Sequence, residues 1–555
     1  MHQPCEVLVV GAGPTGLTAA LALTAQGVRV AIVDESSTRH REARASAVHA
    51  RSLELLAPYG VADRIEAYAS PVHDVRFFDW TGREIMRRSP GAIDSQYPAL
   101  QNVQQWRTEQ LLEEELNARG VMVQRDVRFV SLSQDAHGVE VEVVTTGGPC
   151  SLRAAFVVAA DGAHSAVRHT LGLSMQGSDY PERWIAGELE VREGRPSTES
   201  LILFEPDRVS LQFPLDRGRL FFATLKDDEL VGRSRGRVDP EEVARVYQSG
   251  FGRHAHLGAD IAAIPWSSLF TMHQCTAPEY QQGRVFLAGD AAHLCSAAGG
   301  NGMNAGIGDA INLAWRLAAH LRIGAGTSIF EGYSLDRREH FEHVNASSDA
   351  AHRLLVAHDP ECFQLGAPRG LRAAFARLFM HAPATPTLAD RELGETSIAS
   401  VRDPAYVNRV ADPALGTMHA GMRIPPLADC SVGFGSPRPW CALCDGFHWT
   451  LLIAVASRDD VRAKHIALFD ALASSRLRGR VRTIVATADA FSWNAPRPTI
   501  YLVRPDGVVA YREDCAPSGI PSPQGIAVWL DRFFRANPSV TLSSSCLEVP
   551  DSSIR

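Results

Sequence analysis

The residues Val7-Leu8-Val9-Val10 form an apolar run that passes straight into Gly11-Ala12-Gly13-Pro14-Thr15-Gly16 and then into a helical pattern. This opening demands a strand, a tight turn and a helix in immediate succession, the arrangement that cradles a dinucleotide pyrophosphate. Gly11 permits the turn, Gly13 lets a phosphate approach the backbone, and Gly16 lets the helix pack closely on the strand. The positive end of that helix then faces the phosphates. Glycine-rich turns also join strands to helices in folds that bind nothing, so the flanking sequence has to decide. Leu17, Ala20, Leu21 and Thr24 continue the helix, Gly27 is placed to end it, and Val28 to Val33 predicts a second buried strand that stops at Asp34-Glu35. An acid about 20 residues past the glycines takes the adenosine ribose hydroxyls. Asp34 would also repel a 2′-phosphate, which favours FAD or NAD over NADP at this site.

At 555 residues the chain exceeds a single core, and its length suggests three or four domains. A net charge of −8 offers no basic stripe for nucleic acid. No apolar run reaches the ~18 residues needed to span a bilayer. The first strand begins almost at Met1, which leaves no room for a cleavable signal, so a cytoplasmic protein without membrane association is expected. The ten cysteines are scattered, which fits reduced thiols better than a disulfide framework.

The segment from Arg39 to Arg51 is rich in Arg and His. Most of its charges read as a solvated loop, but Arg44, just beyond the nucleotide strand, is placed to neutralise pyrophosphate. Val75 to Trp80 predicts a strand leading into a second sheet. Trp106 to Leu116 predicts an amphipathic helix with Gln105 near its start, where the amide serves either as a cofactor ligand or as a surface cap. The apolar run Phe156 to Ala160 ends at Asp161-Gly162, which brings a carboxylate to the carboxyl edge of a parallel sheet. A purely structural turn is the competing reading, and Arg168 is expected to pair with Asp161 or a neighbouring acid. Residues 176 to 275 change character: where apolar residues alternate, period two implies an antiparallel sheet with one covered face.

A third buried strand closing on a carboxylate appears at Arg284 to Ala288, followed by Gly289-Asp290-Ala291-Ala292-His293. Gly299-Gly300-Asn301-Gly302-Met303-Asn304 then opens a long helix. Asp290 is placed to take a polyol hydroxyl. A helix N-terminus here would stabilise negative charge on a reduced flavin ring. His293 reads as a structural hydrogen-bonder rather than a base.

Together, Gly11-x-Gly13-x-x-Gly16, Asp161-Gly162-x-x-Ser165-x-x-Arg168 and Gly289-Asp290 with Gly299-Gly300-x-Gly302-Met303-Asn304 resemble the three signatures of the class A flavoprotein monooxygenases, the para-hydroxybenzoate hydroxylase type. The resemblance covers roughly residues 5 to 395. It implies an α/β protein: a Rossmann-like FAD-binding domain in segments 1–72, 101–175 and 279–400, with an inserted antiparallel β-sheet substrate domain in segments 73–100 and 176–278. It further implies that Asp34 binds the adenosine ribose, Arg44 and Gln105 the phosphate or ribitol region, Asp161 the nucleotide and phosphate neighbourhood, Asp290 the ribitol, and the backbone of Gly302, Met303 and Asn304 the isoalloxazine. Ser46 matches a stretch that passes the flavin ring and is a weak catalytic candidate. One departure stands out: many relatives carry Pro-Pro where this chain has Ser296-Ala297, so the loop should be looser and offers an extra hydroxyl.

Residues 322 to about 400 read as largely helical, with Arg337-Arg338-Glu339-His340 on an exposed face. Residues 401–555, with strands at Trp449 to Ala456 and Thr499 to Val503, a helix at Val461 to Ala473 and another at Ile526 to Phe534, resemble the thioredoxin-like α/β domain of the phenol and polyketide hydroxylase branch. Cys441 and Cys444 have redox spacing but precede their strand instead of following it, so a structural or interface role is expected. Cys430 and His448 are too irregularly placed to predict a metal site.

The resemblance therefore implies an FAD-dependent monooxygenase that hydroxylates an aromatic, phenolic or polyketide-like compound. It would use NADH or NADPH and O2, through a flavin C4a-hydroperoxide. Homodimerisation is left open. A Baeyer–Villiger or epoxidising enzyme would share every cofactor motif, and a non-enzymatic flavin-binding protein is the alternative of a different class. A flavin halogenase would show Trp-x-Trp-x-Ile-Pro, which is absent, and no cysteine lies between Cys5 and Cys150 where a disulfide reductase would carry its pair.

Overall fold

In the computed structural model the described residues are 5–39, 45–88, 95–97, 99–192, 198–215, 218–225, 236–356, 444–455, 472–487, 499–514, 523–531 and 534. Arg44, Cys430 and Cys441, and most of the helix expected over 461–473, lie outside them. The chain divides into two units, one of residues 1–25, 29–311 and 337–400, the other of residues 26–28, 312–336 and 401–555.

The first unit is built on a six-stranded sheet in the order Gln281–Gln282, Val285–Leu287, Phe156–Ala159, Val7–Val10, Val30–Val33, Val123–Gln124. All neighbours run parallel except the edge pair Gln281–Gln282 and Val285–Leu287. The continuous apolar runs of these strands follow from burial on both faces. The chain leaves Val7–Val10 to one side for Val30–Val33 and later returns to its other side for Phe156–Ala159. The first strand therefore sits at a topological switch point, with a crevice at the carboxyl ends. Its turn is backbone packed on backbone. A Cβ on Gly11, whose φ is +101°, would stand 2.2 Å from the Ala160 carbonyl oxygen, and one on Gly16 would stand 1.9 Å from that of Gly11. Helix Pro14–Ala25 follows, buried from Gly16 to Leu23.

The second sheet has eight strands, in the order His293–Leu294, Ile261–Thr276, Gln176–Val191, Arg219–Leu225, Val209–Pro214, Glu199–Phe204, Asp74–Phe78, Glu84–Arg88. It departs from the antiparallel expectation at one seam, where Glu199–Phe204 pairs parallel with Asp74–Phe78. It also has two covered faces instead of one. Helix Pro240–Ser249, capped by the Asp239 side chain on the Glu241 N–H, covers Ile185, Leu203 and Phe222 with Val243, Val246 and Tyr247. The opposite face carries Val75, Trp184, Ile202, Leu211 and Ala223. Covering both faces explains why strands such as Leu201 to Phe204 read as unbroken apolar runs.

Two expected placements are corrected. Arg337, on helix Ser328–Val356, is buried and ion-paired to Asp309 at 2.6 Å, so its segment is not simply an exposed face. Among the described residues Arg168 pairs with no carboxylate; its guanidinium donates to the carbonyls of Ala291 and Ala163. The signature arginine thus ties two loops together through main-chain oxygens.

The second unit holds a four-stranded sheet ordered Val481–Thr487, Trp449–Val455, Thr499–Val503, Val509–Asp514, with the first pair parallel and the others antiparallel. Helix Pro523–Asp531 follows. Cys444 is buried ahead of its strand, and His448 Nδ1 lies 2.8 Å from Asp445. The turn Arg504-Pro505-Asp506-Gly507 carries an ionic network. Asp506 accepts from Arg504, Asn312 and the Trp315 indole N–H, while Asp336 accepts from Arg504 and Arg316. Both arginines and both carboxylates are buried, so each charge depends on the others for the solvation it has lost. Among the described residues no helix is long and apolar enough to cross a membrane. Replacing Asp506 by Ala should leave Arg504 and Arg316 sharing the Asp336 carboxylate and lower stability by about 3–5 kcal/mol, read from urea unfolding followed by tryptophan fluorescence.

Candidate functional site

The ends of the parallel strands open onto one cavity of about 620 Å³ that continues along the face of the eight-stranded sheet. At the nucleotide end its wall includes Gly11, Gly13, Asp34, Gln105, Glu109 and Asp161. A Cβ on Gly13 would meet nothing within 4 Å, so this glycine leaves open space beside the helix start. Asp34 Oδ2 accepts the Ala12 N–H at 2.6 Å, which ties the second strand's end to the glycine turn. Its other oxygen accepts from the Ser36 N–H. Asp161 Oδ2 takes the Val167 N–H at 3.1 Å, while Oδ1 is buried and has no hydrogen-bond partner among the described residues. Burial pushes this carboxyl upward, an arrangement that a hydroxyl donor would relieve.

The third strand end is held by a residue that the sequence reading did not single out. Asp309 accepts the Gly289 N–H at 2.9 Å, His293 Nε2 at 2.6 Å and Arg337 Nε at 2.6 Å. Burial alone would raise its pKa, but His293 and Arg337 hold it well below the usual carboxylate range. This anchoring presents Asp290 to the cavity. It also gives His293 a structural task, completed by stacking on Phe341 at 4.1 Å. The one signal available was an acid in the middle of an apolar helix face.

Of the flavin-loop residues, Gly302 and Met303 line the cavity, but the Asn304 side chain turns elsewhere. Its Oδ1 accepts the His49 N–H and the Ser52 hydroxyl, and its Nδ2 donates to the carbonyls of Ala47 and Gly300. Asn304 thus braces the passing segment Ala45 to His49 against the helix. That segment brings Ser46 and His49 to the wall, and His49 Nε2 lies 3.0 Å from the Gly299 carbonyl oxygen.

The far end of the cavity uses alternate residues of neighbouring strands, as period-two side-chain alternation requires. Ser200 and Ile202, Leu211 and Phe213, Phe221 and Ala223, and Phe270 and Met272 share one face with Val75 and Trp184. Register places Ile202 beside Leu211, Leu211 beside Ala223, and Trp184 beside Phe270. The Phe213 and Phe221 rings lie 3° from parallel with centroids 6.1 Å apart. Among the described lining residues there is no Lys or Arg. The one cysteine among them is Cys295, whose thiol burial pushes up to about 12. The arrangement suits a flat, largely apolar molecule set against the nucleotide end.

Residues 4–348 match the FAD binding domain family. Over 345 residues the chain is 34% identical to the 3-(3-hydroxy-phenyl)propionate/3-hydroxycinnamic acid hydroxylase of Mycolicibacterium smegmatis, a match covering 61% of this chain and 60% of that protein. It is 30% identical over 392 residues to the 12-dehydrotetracycline 5-monooxygenase/anhydrotetracycline 6-monooxygenase of Streptomyces rimosus, covering 68% of this chain and 74% of the relative. In fold it is similar to the flavin-dependent monooxygenase PieE, solved with FAD and substrate, with a TM-score of 0.75 and 23% identity over 96% of this chain and 99% of that one.

Glu109 was also missed by the sequence reading, because a Glu in an amphipathic helix reads as surface. Burial pushes its carboxyl up to about 7, against an ordinary value near 4.5, with Gln105 Nε2 donating to it at 2.8 Å. Because the folded value lies above the unfolded one, the folded state binds the extra proton. Its stability therefore falls as pH rises from about 4.5 to about 7, and the cost is constant above that window. Glu109→Gln should remove this cost: the stability of the flavin-free variant relative to wild type should rise across the same window, to on the order of 3 kcal/mol. Urea unfolding at a series of pH values measures it, and a flat difference would count against the assignment.

Proposed function

The chain belongs to the FAD binding domain family, and from that premise we propose that it is an FAD-dependent monooxygenase that hydroxylates an aromatic, phenolic or polyketide-like substrate, with NADH or NADPH and dioxygen as co-substrates. The observation that carries this reading is the continuity of a single cavity from the glycine turn and the carboxylates Asp34, Asp161 and Asp290 to an aromatic-lined sheet face. The hydroxylase and monooxygenase relatives support it.

The residues present fit FAD. Open space at Gly13 and the N-terminus of helix Pro14–Ala25 would hold the pyrophosphate, and the unpartnered Asp161 Oδ1 awaits a donor. Asp34 would take the adenosine ribose, Gln105 and Arg44 the phosphate or ribitol region, Asp290 the ribitol, and the backbone of Gly302, Met303 and Asn304 the ring system. When bound, FAD supplies two-electron redox chemistry and the activation of dioxygen. The chain's own residues do the positioning. Phe213, Phe221, Phe270 and Trp184 hold a flat ring by contact and exclude water, while Asp309 keeps the Gly289-Asp290 loop in place. Ser46 remains a candidate for contact with the reacting ring.

The discontinuous FAD-binding and substrate segments outlined from sequence belong to the same proposal, as does a thioredoxin-like fold for residues 401–555. The latter is supported by the strand order second, first, third, fourth, with the first two strands parallel. The test is direct. The purified protein should carry FAD and consume NADH or NADPH faster in the presence of a member of a phenol and polycyclic phenol panel, giving a product one oxygen atom heavier. Gly13→Ala should fold normally yet retain little FAD, because its methyl occupies the phosphate approach. A colourless wild type that takes up no FAD would end the proposal.

A further inference from the structure

Leu100–Asn102 is the middle strand of three, and Asn102 is paired with Ala47 on one side and with Ser70 on the other. Asparagine is a poor strand former, and a strand bonded on both edges needs no side-chain cap, so the backbone gives no reason for it. Leu100 and Asn102 line the cavity, whereas Gln101 and Val103 do not. That alternation is the mark of a wall made by side chains and not by main chain. Asn102 is 2% exposed, yet among the described residues its carboxamide has no hydrogen-bond partner. Neither polar atom of that carboxamide is among the enclosed ones, so the little surface it keeps is open to the cavity.

The same pattern recurs in the eight-stranded sheet. Ser200 and Ile202 line the cavity, whereas Leu201 and Leu203 do not. Ser200 is 3% exposed and paired with Val75, and its hydroxyl likewise has no partner among the described residues and is not enclosed. By contrast, the Ser296 hydroxyl is committed to Met272 Sδ and His352 Nδ1, and Asn301 Nδ2 donates to the Ser348 hydroxyl. Buried polar groups are hydrogen-bonded in folded proteins, so two that open onto one cavity call for a ligand that completes them. Their surroundings differ. Asn102 stands beside Ala47, whose Cβ would lie 2.6 Å from a Cβ on Gly300, so it borders the flavin loop. Ser200 stands on the sheet face with Val75 and Ile202.

Resting on the hydroxylase reading above, we infer that Asn102 and Ser200 are the polar anchors of the substrate, each taking one oxygen substituent of the ring system. The substrate class is therefore a flat aromatic with oxygens at two separate positions, one beside the flavin loop and one over the sheet. A carboxamide and a hydroxyl each donate and accept, so a hydroxyl or a carbonyl oxygen satisfies either anchor. The remaining wall is aromatic and aliphatic, and it rewards any flat ring alike. Selection among such rings falls to the two anchors, because a ring lacking an oxygen would leave a buried polar group unpaired.

The test uses the FAD-loaded full chain, with dissociation constants for naphthalene, 2-naphthol and 2,6-dihydroxynaphthalene read from the perturbation of flavin absorbance. The wild type should bind the diol most tightly, gaining roughly tenfold for each hydroxyl. Asn102→Leu and Ser200→Ala should each weaken the diol about tenfold and together about 100-fold, because they remove separate contacts. Naphthalene affinity and FAD content should not fall in either variant. Equal losses for naphthalene and the diol would make both residues packing elements, and loss of FAD from Asn102→Leu would give that carboxamide to the cofactor; either result overturns the anchors. A wild type indifferent to the hydroxyls does the same. An FAD-loaded wild type whose NAD(P)H oxidation responds to no aromatic compound would instead sink the hydroxylase reading, and the anchors with it. A responsive wild type whose variants keep the preference for the diol sinks the anchors alone.

Discussion

The site exists because several backbones meet where no side chain fits. Gly11 rests against the Ala160 carbonyl, Gly16 against that of Gly11, and a Cβ on either Gly289 or Gly306 would collide with Thr15 Oγ1 at 2.4 or 2.2 Å. Three distant stretches of sequence are thereby drawn around the start of one helix. The backbone groups exposed there are the polar surface that a phosphate-rich ligand needs. A methyl at any of these contacts would force the strand ends apart, and the cavity with them.

Contact alone does not hold such a junction, and buried charge completes it. Asp309 binds a loop N–H, an imidazole and a guanidinium at once, which converts the approach of loop and helix into a fixed geometry. The second unit uses the same device at Asp336, Arg316, Arg504 and Asp506. In both places the isolated groups would be costly, and their value lies in specifying one arrangement. The substrate end works the other way. Its sheet is apolar on both faces, and the wall it gives the cavity is made of aromatic and aliphatic side chains.

Much of this was legible in the sequence wherever the physics is local. Glycine spacing, a strand ending in an acid, and unbroken apolar runs each have a steric or solvation cause within a dozen residues, so the parallel sheet and the cavity-lining Asp34, Asp161 and Asp290 could be read directly. What depends on partners far along the chain could not. Arg337 and Glu109 look like surface charges until Asp309 and the cavity are in view, and Arg168 found carbonyls where an acid was expected. The bracing role of the Asn304 side chain likewise depends on residues 252 to 257 positions away. The apolar strands of residues 199–225 give no clue that a helix covers their other face.

The parallel seam between Asp74–Phe78 and Glu199–Phe204 has a kinetic side. Those strands are separated by the whole of the stretch that supplies Phe156–Ala159 to the nucleotide sheet, so the sheet facing the substrate is a high-contact-order element whose closure bears a large loop entropy. On the ribosome the early strand must wait, unpaired along one edge, until its neighbour emerges. Until then that edge is open to pairing with other chains.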